Sequence, residues 1–450
     1  MPENKTNVSA PPAKRAPDDF VRWFRQAAPY IHAFRGKTFV IAFGGELFQD
    51  AGFVGLVHDF NLLMSLGVRL VLVHGVRPQV EARLKAKGVA TRFVAGRRVT
   101  DALALECVKE AVGAARVDVE AQLSMGLPNS PMAGADIRVA SGNFVIAKPM
   151  GVLEGVDLQH TGEVRRVDTT GIARRLDQGE IVLLSPLGYS PTGEVFNLTV
   201  EDVATAAASG LKAHKLIFLM ETMGVADEEG ALLKELTAAS AQQVLVSARA
   251  LPEDVALYLP CAIRAARAGV ARAHLLSRHV DGALLSELFT HGGVGTMVTR
   301  EPVESLRQAA IDDVGGILAL IEPLESEGIL VRRSRELLEM EIGRFRVLEH
   351  DNLTIGCAAL YPFEQDGAAE LACLAVHPDY RSGGRGERLL AAMEAHARAQ
   401  GIHRLFVLTT RAAHWFVERG FEEADVGALP QAKQSLYNWQ RRSKVFVKGL

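Results

Sequence analysis

Short apolar runs of strand length alternate along the chain with segments of helical spacing. From Thr38 the runs TFVIAF (38–43) and VRLVLVHG (68–75) flank FNLLMSLG (60–67), a helical pattern that stops at Gly67. GGELF (44–48) reads as a turn opening the helix between them. Further strand-length runs fall at 137–139, 144–147, 181–184, 216–220 and 273–276. Strands alternating with helices imply a mostly parallel sheet that binds ligands at its carboxyl edge. Upstream, Phe20, Trp23, Phe24 and Ala27 share a helical face, and Pro29 is expected to break or kink that helix.

The alternation stops near Val298, where TREPVESL makes a connector around Pro302. Residues 304–321 read as a helix, and 322–345 as a loop followed by a helix that Ser334 can cap. FRVLEHDNLTIGCAAL reads as a hairpin around an Asp-Asn turn. A strand at 370–376, a Pro and Gly loop, a helix over 387–399, a strand at 405–410, a short helix in HWFVERGF and a terminal strand KVFV follow. The pattern divides the chain into a tail (1–18), an α/β domain (19–298), a linker (299–303) and a second α/β domain (304–450).

With 450 residues, 48% of them hydrophobic and 23% charged, the chain has the composition of a globular protein too long for one core. The formal net charge of -3 offers nucleic acid no overall attraction. No run reaches the ~18 apolar residues needed to cross a bilayer, and the polar, Pro-rich first residues lack a signal core, which implies a disordered tail and a cytoplasmic protein. Cys107, Cys261, Cys357 and Cys373 lie in apolar contexts without metal-ligand spacing, so they are expected to be buried free thiols, and no metal is expected.

The stretch ELACLAVHPDYRSGGRGERLL (370–390) carries the clearest chemistry. A loop with Gly383, Gly384 and Gly386 lets backbone amides approach a ligand closely, and the following helix directs its unpaired N–H groups to the same point. The natural guest is a phosphate or pyrophosphate. Arg381-x-x-Gly384-x-Gly386 resembles the acetyl-coenzyme A signature of the GNAT acetyltransferases at all three defined positions. That resemblance implies that Arg381, Gly383, Gly384 and Gly386 bind the pyrophosphate of acetyl-CoA, and that backbone groups of Leu374 and Val376 meet the rest of the cofactor.

Upstream, VIAFGGE (40–46), VLVHGVRP (71–78), GRRVTD (96–101), FNLTVEDVATAAA (196–208) and LLSELFTHGGVGTMV (284–298) occur in the order of the amino-acid kinase family, and resemble acetylglutamate kinase. The resemblance implies an αβα sandwich. Ala42 stands where the kinases carry a lysine, and Cys261 after Pro260 where they carry a second. Phosphoryl transfer depends on placed positive charge, so residues 19–298 are read as a kinase fold without kinase activity. ARAHLLSRHVDGALLSELFTHGGVGT also resembles the inhibitor site of arginine-sensitive acetylglutamate kinases. That likeness assigns His274, Glu287 and Gly295 to L-arginine, with Lys215 to meet its carboxylate. The helix around residues 20–34 matches an extra N-terminal helix of the same kinases.

A kinase-like domain followed by a GNAT domain resembles the bacterial N-acetylglutamate synthases. It implies transfer of acetyl from acetyl-CoA to L-glutamate as the first step of arginine biosynthesis, feedback inhibition by L-arginine, and a homo-oligomer, a hexamer built as a trimer of dimers. Glu370, at the head of its strand, is then the base that takes a proton from the substrate ammonium, and Thr409 orients water or protonates the leaving thiolate. Arg333, in VRRSRE, and Arg441 with Ser443, in WQRRSK, are the expected glutamate anchors; spacing leaves Arg441 and Arg442 equivalent. Two other readings stand beside this one: a bifunctional kinase and synthase, and an arginine-binding regulator with a vestigial acetyltransferase.

Overall fold

The computed structural model describes residues 17–450 apart from 51, 248–249, 291, 352, 382 and 438–441. The described chain forms two compact units, one ending at Glu301 and the other beginning at Pro302. Most of the tail expected over residues 1–18 lies outside the described residues; from Pro17 the chain is helical.

In the first unit, eight strands form the central sheet: β1 (Thr38–Phe43), β2 (Arg69–His74), β3 (Val139–Ala140), β4 (Ile181–Leu184), β5 (Lys215–Met220), β6 (Glu235–Thr237), β7 (Arg272–Ser277) and β8 (Thr296–Thr299). Their spatial order is β6-β8-β7-β5-β1-β2-β4-β3. Every neighbouring pair is parallel except β7 and β8. The central strands are buried on both faces, which is why they read as unbroken apolar runs. Two hydrophobic clusters cover the two faces, one around Val40, Phe218 and Ala262, the other around Phe39, Phe60 and Leu72. The run at 144–147 is a strand (Val145–Pro149), but it belongs to a separate four-stranded sheet rather than the parallel one.

Helix α1 (Pro17–Phe34) continues through Pro29 instead of ending there. Its C-terminal half is anchored by Ala27 and Phe34, both nearly fully buried, and the Phe34 ring meets Phe39 and Phe289 edge-on. That tertiary packing holds a helix which proline disfavours by about 3 kcal/mol. Phe20, Trp23 and Phe24, at its other end, stay exposed in the chain.

The second unit is a seven-stranded sheet with helices on it: β9 (Glu304–Gln308), α2 (Val314–Ser326), α3 (Arg335–Glu341), β10 (Phe345–His350), β11 (Leu353–Phe363), β12 (Ala368–Val376), α4 (Arg385–Ala399), β13 (Arg404–Thr409), α5 (Ala413–Val417), β14 (Glu422–Ala424), α6 (Gln431–Gln434) and β15 (Lys444–Gly449). The order is β9-β10-β11-β12-β13-β15-β14, antiparallel except for β12 and β13. Residues 304–321 are therefore not one helix. The first five form an edge strand paired with β10, a short 3-10 turn follows, and α2 starts at Val314 and passes Pro323. Ser334 caps α3, accepting a hydrogen bond from the Leu337 N–H at 3.2 Å.

Candidate acetyltransferase site and its regulatory counterpart

Strands β12 and β13 pair in parallel only from Ala368↔Arg404 to Glu370↔Phe406. Beyond Glu370 they part, so one backbone edge of Leu371–Val376 loses its ladder partner and can serve an extended ligand as a strand would. The parting coincides with a bulge. The β11–β12 register shifts between Cys357 and Ala359, and Cys373 takes the left-handed conformation at φ 51°. A non-glycine residue so placed stores of order 1–3 kcal/mol of strain, held here by the buried sheet around it.

At the far end of β12 the chain turns through Pro378–Tyr380 into the glycine loop. Gly384 is the N-cap of α4 at φ 68°, a conformation glycine adopts without steric cost, and it leaves the first N–H groups of a 15-residue helix facing the loop. Arg381 is exposed at the mouth of the loop. Loop and open strand edge are thus joined end to end, with Leu374 and Val376 half-buried between them.

Glu370 stands at the fork, its side chain 13% exposed. The residue that sequence reasoning missed is Lys433, on α6, whose Nζ lies 2.5 Å from the Glu370 carboxylate. A lone lysine in QAKQ carries no pattern that could have singled it out; only the tertiary placement of α6 brings it there. Thr409, 6% exposed at the end of β13, accepts hydrogen bonds at Oγ1 from the N–H groups of Ala412 (2.9 Å) and Arg411 (3.4 Å). Because Oγ1 is the acceptor in both, its own proton stays available for donation.

Arg333 is half-buried over the Tyr361 ring at 5.6 Å, with Arg344 over the same ring at 4.8 Å. The Tyr361 hydroxyl donates to Glu341 at 2.8 Å, and Tyr361 lies directly across from Glu370 in the β11–β12 register. Burial lowers the Arg333 pKa, but Cys373, Tyr361 and Glu370 outweigh it and leave it above the ordinary value. Arg333 is thus a fixed cation facing the same end of β12 as the carboxylate. Ser443 is buried, and its carbonyl accepts from the Tyr437 hydroxyl at 2.6 Å. Arg441 lies outside the described residues. Cys357 and Cys373 are free buried thiols, and burial raises the Cys373 pKa to about 11, which keeps it neutral.

In the first unit, Lys215, His274, Glu287 and Gly295 form one buried chain of contacts. Lys215 Nζ lies 3.1 Å from His274 Nε2, and His274 Nδ1 lies 2.7 Å from the Glu287 carboxylate. Lysine can only donate, so Nε2 accepts and the imidazole proton sits on Nδ1, which donates to Glu287. Glu287 also accepts from the N–H groups of Val294 at 2.7 Å and Gly295 at 3.1 Å. Burial and the Lys215 charge lower the His274 pKa to about 4, so it is neutral near pH 7. Burial raises that of Glu287, but His274 and the two N–H groups overcome it and hold the carboxyl at about 2. A Cβ on Gly295 would come within 2.3 Å of the Leu275 carbonyl oxygen, so only glycine fits that position. The Phe34 ring of α1 lies 5.0 Å from Lys215 Nζ, so the N-terminal helix forms part of the same cluster.

Ala42 is buried next to the carboxyl end of β1, and Cys261 is buried in the helix Glu253–Arg267. Arg264 lies 3.1 Å from the Cys261 sulfur and is bound to Asp202 at 2.8 Å; Arg97 holds the same Asp202 at 2.6 Å. Beside them, at the carboxyl ends of β1 and β2, lies a cavity of about 130 Å³ lined by Gly44, Gly75, Arg77, Asn197, Glu201 and Tyr258, among others. Among the described residues, no cluster of three or more His, Cys, Asp or Glu side chains is placed to hold a metal ion.

A parted β12–β13 pair with a glycine loop and helix at its end defines the second unit as a GNAT acetyltransferase, carried behind an amino-acid-kinase fold. Family models agree: residues 37–277 match the amino acid kinase family, and residues 341–423 match the acetyltransferase (GNAT) domain. The amino-acid acetyltransferase of Azotobacter vinelandii is 58% identical over 433 residues, covering 96% of this chain and all of its own. That of Ralstonia nicotianae is 55% identical, covering 99% of this chain and 98% of its own. The crystal structure of N-acetylglutamate synthase from Neisseria gonorrhoeae with coenzyme A and L-arginine is 39% identical, has a TM-score of 0.87, and covers 96% of this chain and 99% of its own. A second structure of that enzyme, with coenzyme A and N-acetyl-glutamate, is 40% identical with a TM-score of 0.61 over the same shares. This chain belongs to the amino-acid acetyltransferases of the N-acetylglutamate synthase family.

Proposed function

We propose that this chain transfers acetyl from acetyl-CoA to the α-amino group of L-glutamate, with L-arginine as feedback inhibitor bound to the first unit. The observation that carries the reading is the fork at Glu370, where the two parallel strands part and a part-buried carboxylate stands at the head of the open edge. In this reading the loop with Arg381, Gly383, Gly384 and Gly386 holds the pyrophosphate, while backbone groups of Leu374 and Val376 align the thioester. Arg333, Arg441 and Ser443 receive the two carboxylates of glutamate, since planar guanidinium pairs well with carboxylate. Glu370 takes a proton from the substrate ammonium, and the freed amine attacks the thioester carbonyl. The tetrahedral adduct collapses with cleavage of the C–S bond; the second proton of the attacking nitrogen passes through the Thr409 hydroxyl, or water it orients, to the departing thiolate, so Thr409 ends the step as it began.

Lys215, His274, Glu287 and Gly295 form the proposed arginine site, supported by the bound L-arginine of the gonococcal enzyme. The kinase-like unit is read as inactive in phosphoryl transfer, because Ala42 and Cys261 are small, uncharged and buried. The exposed Phe20, Trp23 and Phe24 support a homo-oligomer, read as a hexamer. Four buried free thiols support a reducing, cytoplasmic setting.

The deciding experiment is CoA release over a panel of amino acids, with and without L-arginine. We expect turnover with L-glutamate above all others and suppression by arginine. Equal turnover with glutamine or norvaline would refute the dicarboxylate site, and turnover indifferent to arginine would refute the regulatory one. ATP-dependent phosphorylation of N-acetylglutamate should be absent; its appearance would overturn the reading of Ala42.

A further inference from the structure

Arg385 lies inside the glycine loop, between Gly384 and Gly386, and begins helix α4. Its guanidinium is turned toward the edge strand β9. There Glu304, 10% exposed, accepts from Arg385 Nε at 2.6 Å and also binds Arg385 Nη2 and Arg388 Nη1. The Arg385 guanidinium lies over the Tyr380 ring at 5.4 Å, and Tyr380 packs in turn against His350, the residue paired with Glu304 across β9 and β10. Two arginines in the first turn of a helix oppose its dipole and each other, which would push the helix start and its loop apart. One carboxylate from the neighbouring strand binds both and offsets half of their charge, and Glu387 in the same turn supplies a second negative charge. Burial raises the Glu304 pKa, but its hydrogen bonds to Arg385 and Arg388 more than offset that, so the side chain is a stable anion.

We propose that Glu304 is a positioning residue for acetyl-CoA: through Arg385 and Arg388 it clamps the glycine loop and the start of α4 in the orientation that receives the pyrophosphate. Gly383 and Gly384, at φ 84° and 68°, supply turn geometry rather than rigidity; Glu304 ties the end of the loop to β9 through Arg385, as Arg419 ties the first turn of α4 through Glu387. Glu304 stands two residues after Pro302, where the second unit begins, so the clamp is set by the first strand the chain forms on entering that unit. The proposal rests on the reading of residues 381–386 as the pyrophosphate cradle.

The test is Glu304→Gln, which keeps the shape and removes the charge, in the full chain. A charged hydrogen-bond pair lost from a loop of this kind corresponds to roughly a tenfold rise in the acetyl-CoA KM. The glutamate KM and the kcat at saturating acetyl-CoA should hold, CoA titrated alone should bind about tenfold more weakly, and Glu304→Asp should recover part of the loss. Arg388→Gln, which removes a single partner and spares Arg385, should give a smaller rise of the same kind and serves if Glu304→Gln does not fold. A fall in melting temperature with every kinetic constant unchanged would reduce Glu304 to a structural role. Tighter CoA binding would show that Glu304 competes for the arginines instead of seating them; either result overturns the proposal. Gly384→Ala separates the two readings: if it too leaves the acetyl-CoA KM unchanged, the cradle lies elsewhere, whereas if it alone raises KM, only the clamp fails.

Discussion

At the level of single residues, the proposed chemistry turns on the contact of Glu370 with Lys433. Glu370→Gln should lower kcat by 10²–10⁴, the range for losing a general base, with the acetyl-CoA KM little changed. Lys433→Met leaves the carboxylate part-buried without its ion pair at 2.5 Å, and we expect kcat/KM for glutamate to fall about tenfold, with the acetyl-CoA KM again spared. Steady-state kinetics with each substrate varied in turn distinguishes both outcomes from a general loss of folded enzyme. In the first unit, Glu287→Gln removes the acceptor shared by His274, Val294 and Gly295. Arginine affinity by calorimetry should drop at least tenfold, and an unchanged affinity would move the inhibitor site elsewhere.

Among the elements, strand β9 and helix α1 show where pattern reading meets its limit. ESLRQ has one apolar residue, Leu306, so alternation is too short to reveal a strand; what makes it one is pairing with β10 and the grip of Arg307 on Asp313 and Glu349 at 2.5–2.8 Å. In α1, proline chemistry argues for a stop, but the packing of Ala27 and Phe34 prevails. The β12–loop–α4 element, by contrast, was legible from its residues, because a buried strand, left-handed glycines and a helix start each leave a mark in sequence. Its bulge at Cys373 was not, since nothing in the residue type announces φ 51°. Gly384→Ala forces a Cβ into a left-handed position, and a cost of about 1 kcal/mol should raise the acetyl-CoA KM roughly fivefold.

For the whole molecule, buried ionisable groups of the first unit set how its stability responds to pH. Burial lowers both His74 and His274 from the ordinary 6.5 to about 4. Between those values the unfolded chain binds protons that the native state refuses, so each histidine reduces stability as pH falls, by up to about 1.4 kcal/mol per pH unit. Asp59 acts in the opposite sense: burial and Asp281 raise it to about 7, so it holds a proton in the native state that the unfolded chain releases near 3.8. Denaturant titrations of the full chain between pH 5 and 6, following the transition of the first unit, should show the slope of stability against pH reduced in His274→Asn and increased in Asp59→Asn. An unchanged slope in His274→Asn would mean that the imidazole is solvated. Below about pH 4.5, Glu287 adds a further loss as the pH falls toward 2.

The sequence alone determined the two α/β units, their order, the glycine loop and the strand that precedes it, because these rest on local rules: apolar runs for buried strands, left-handed turns for glycine, free N–H groups at a helix start. It also singled out Lys215, His274, Glu287 and Gly295 as one proposed site through likeness to a known inhibitor site, although residues so far apart share no local pattern. Tertiary structure decided which groups meet. Lys433 reaches Glu370 across 63 residues, Glu304 reaches Arg385 across 81, and Lys215 reaches His274 across 59. Each partner is an ordinary polar residue until folding removes water from around it, and only then does its charge act on the neighbours that folding has set beside it.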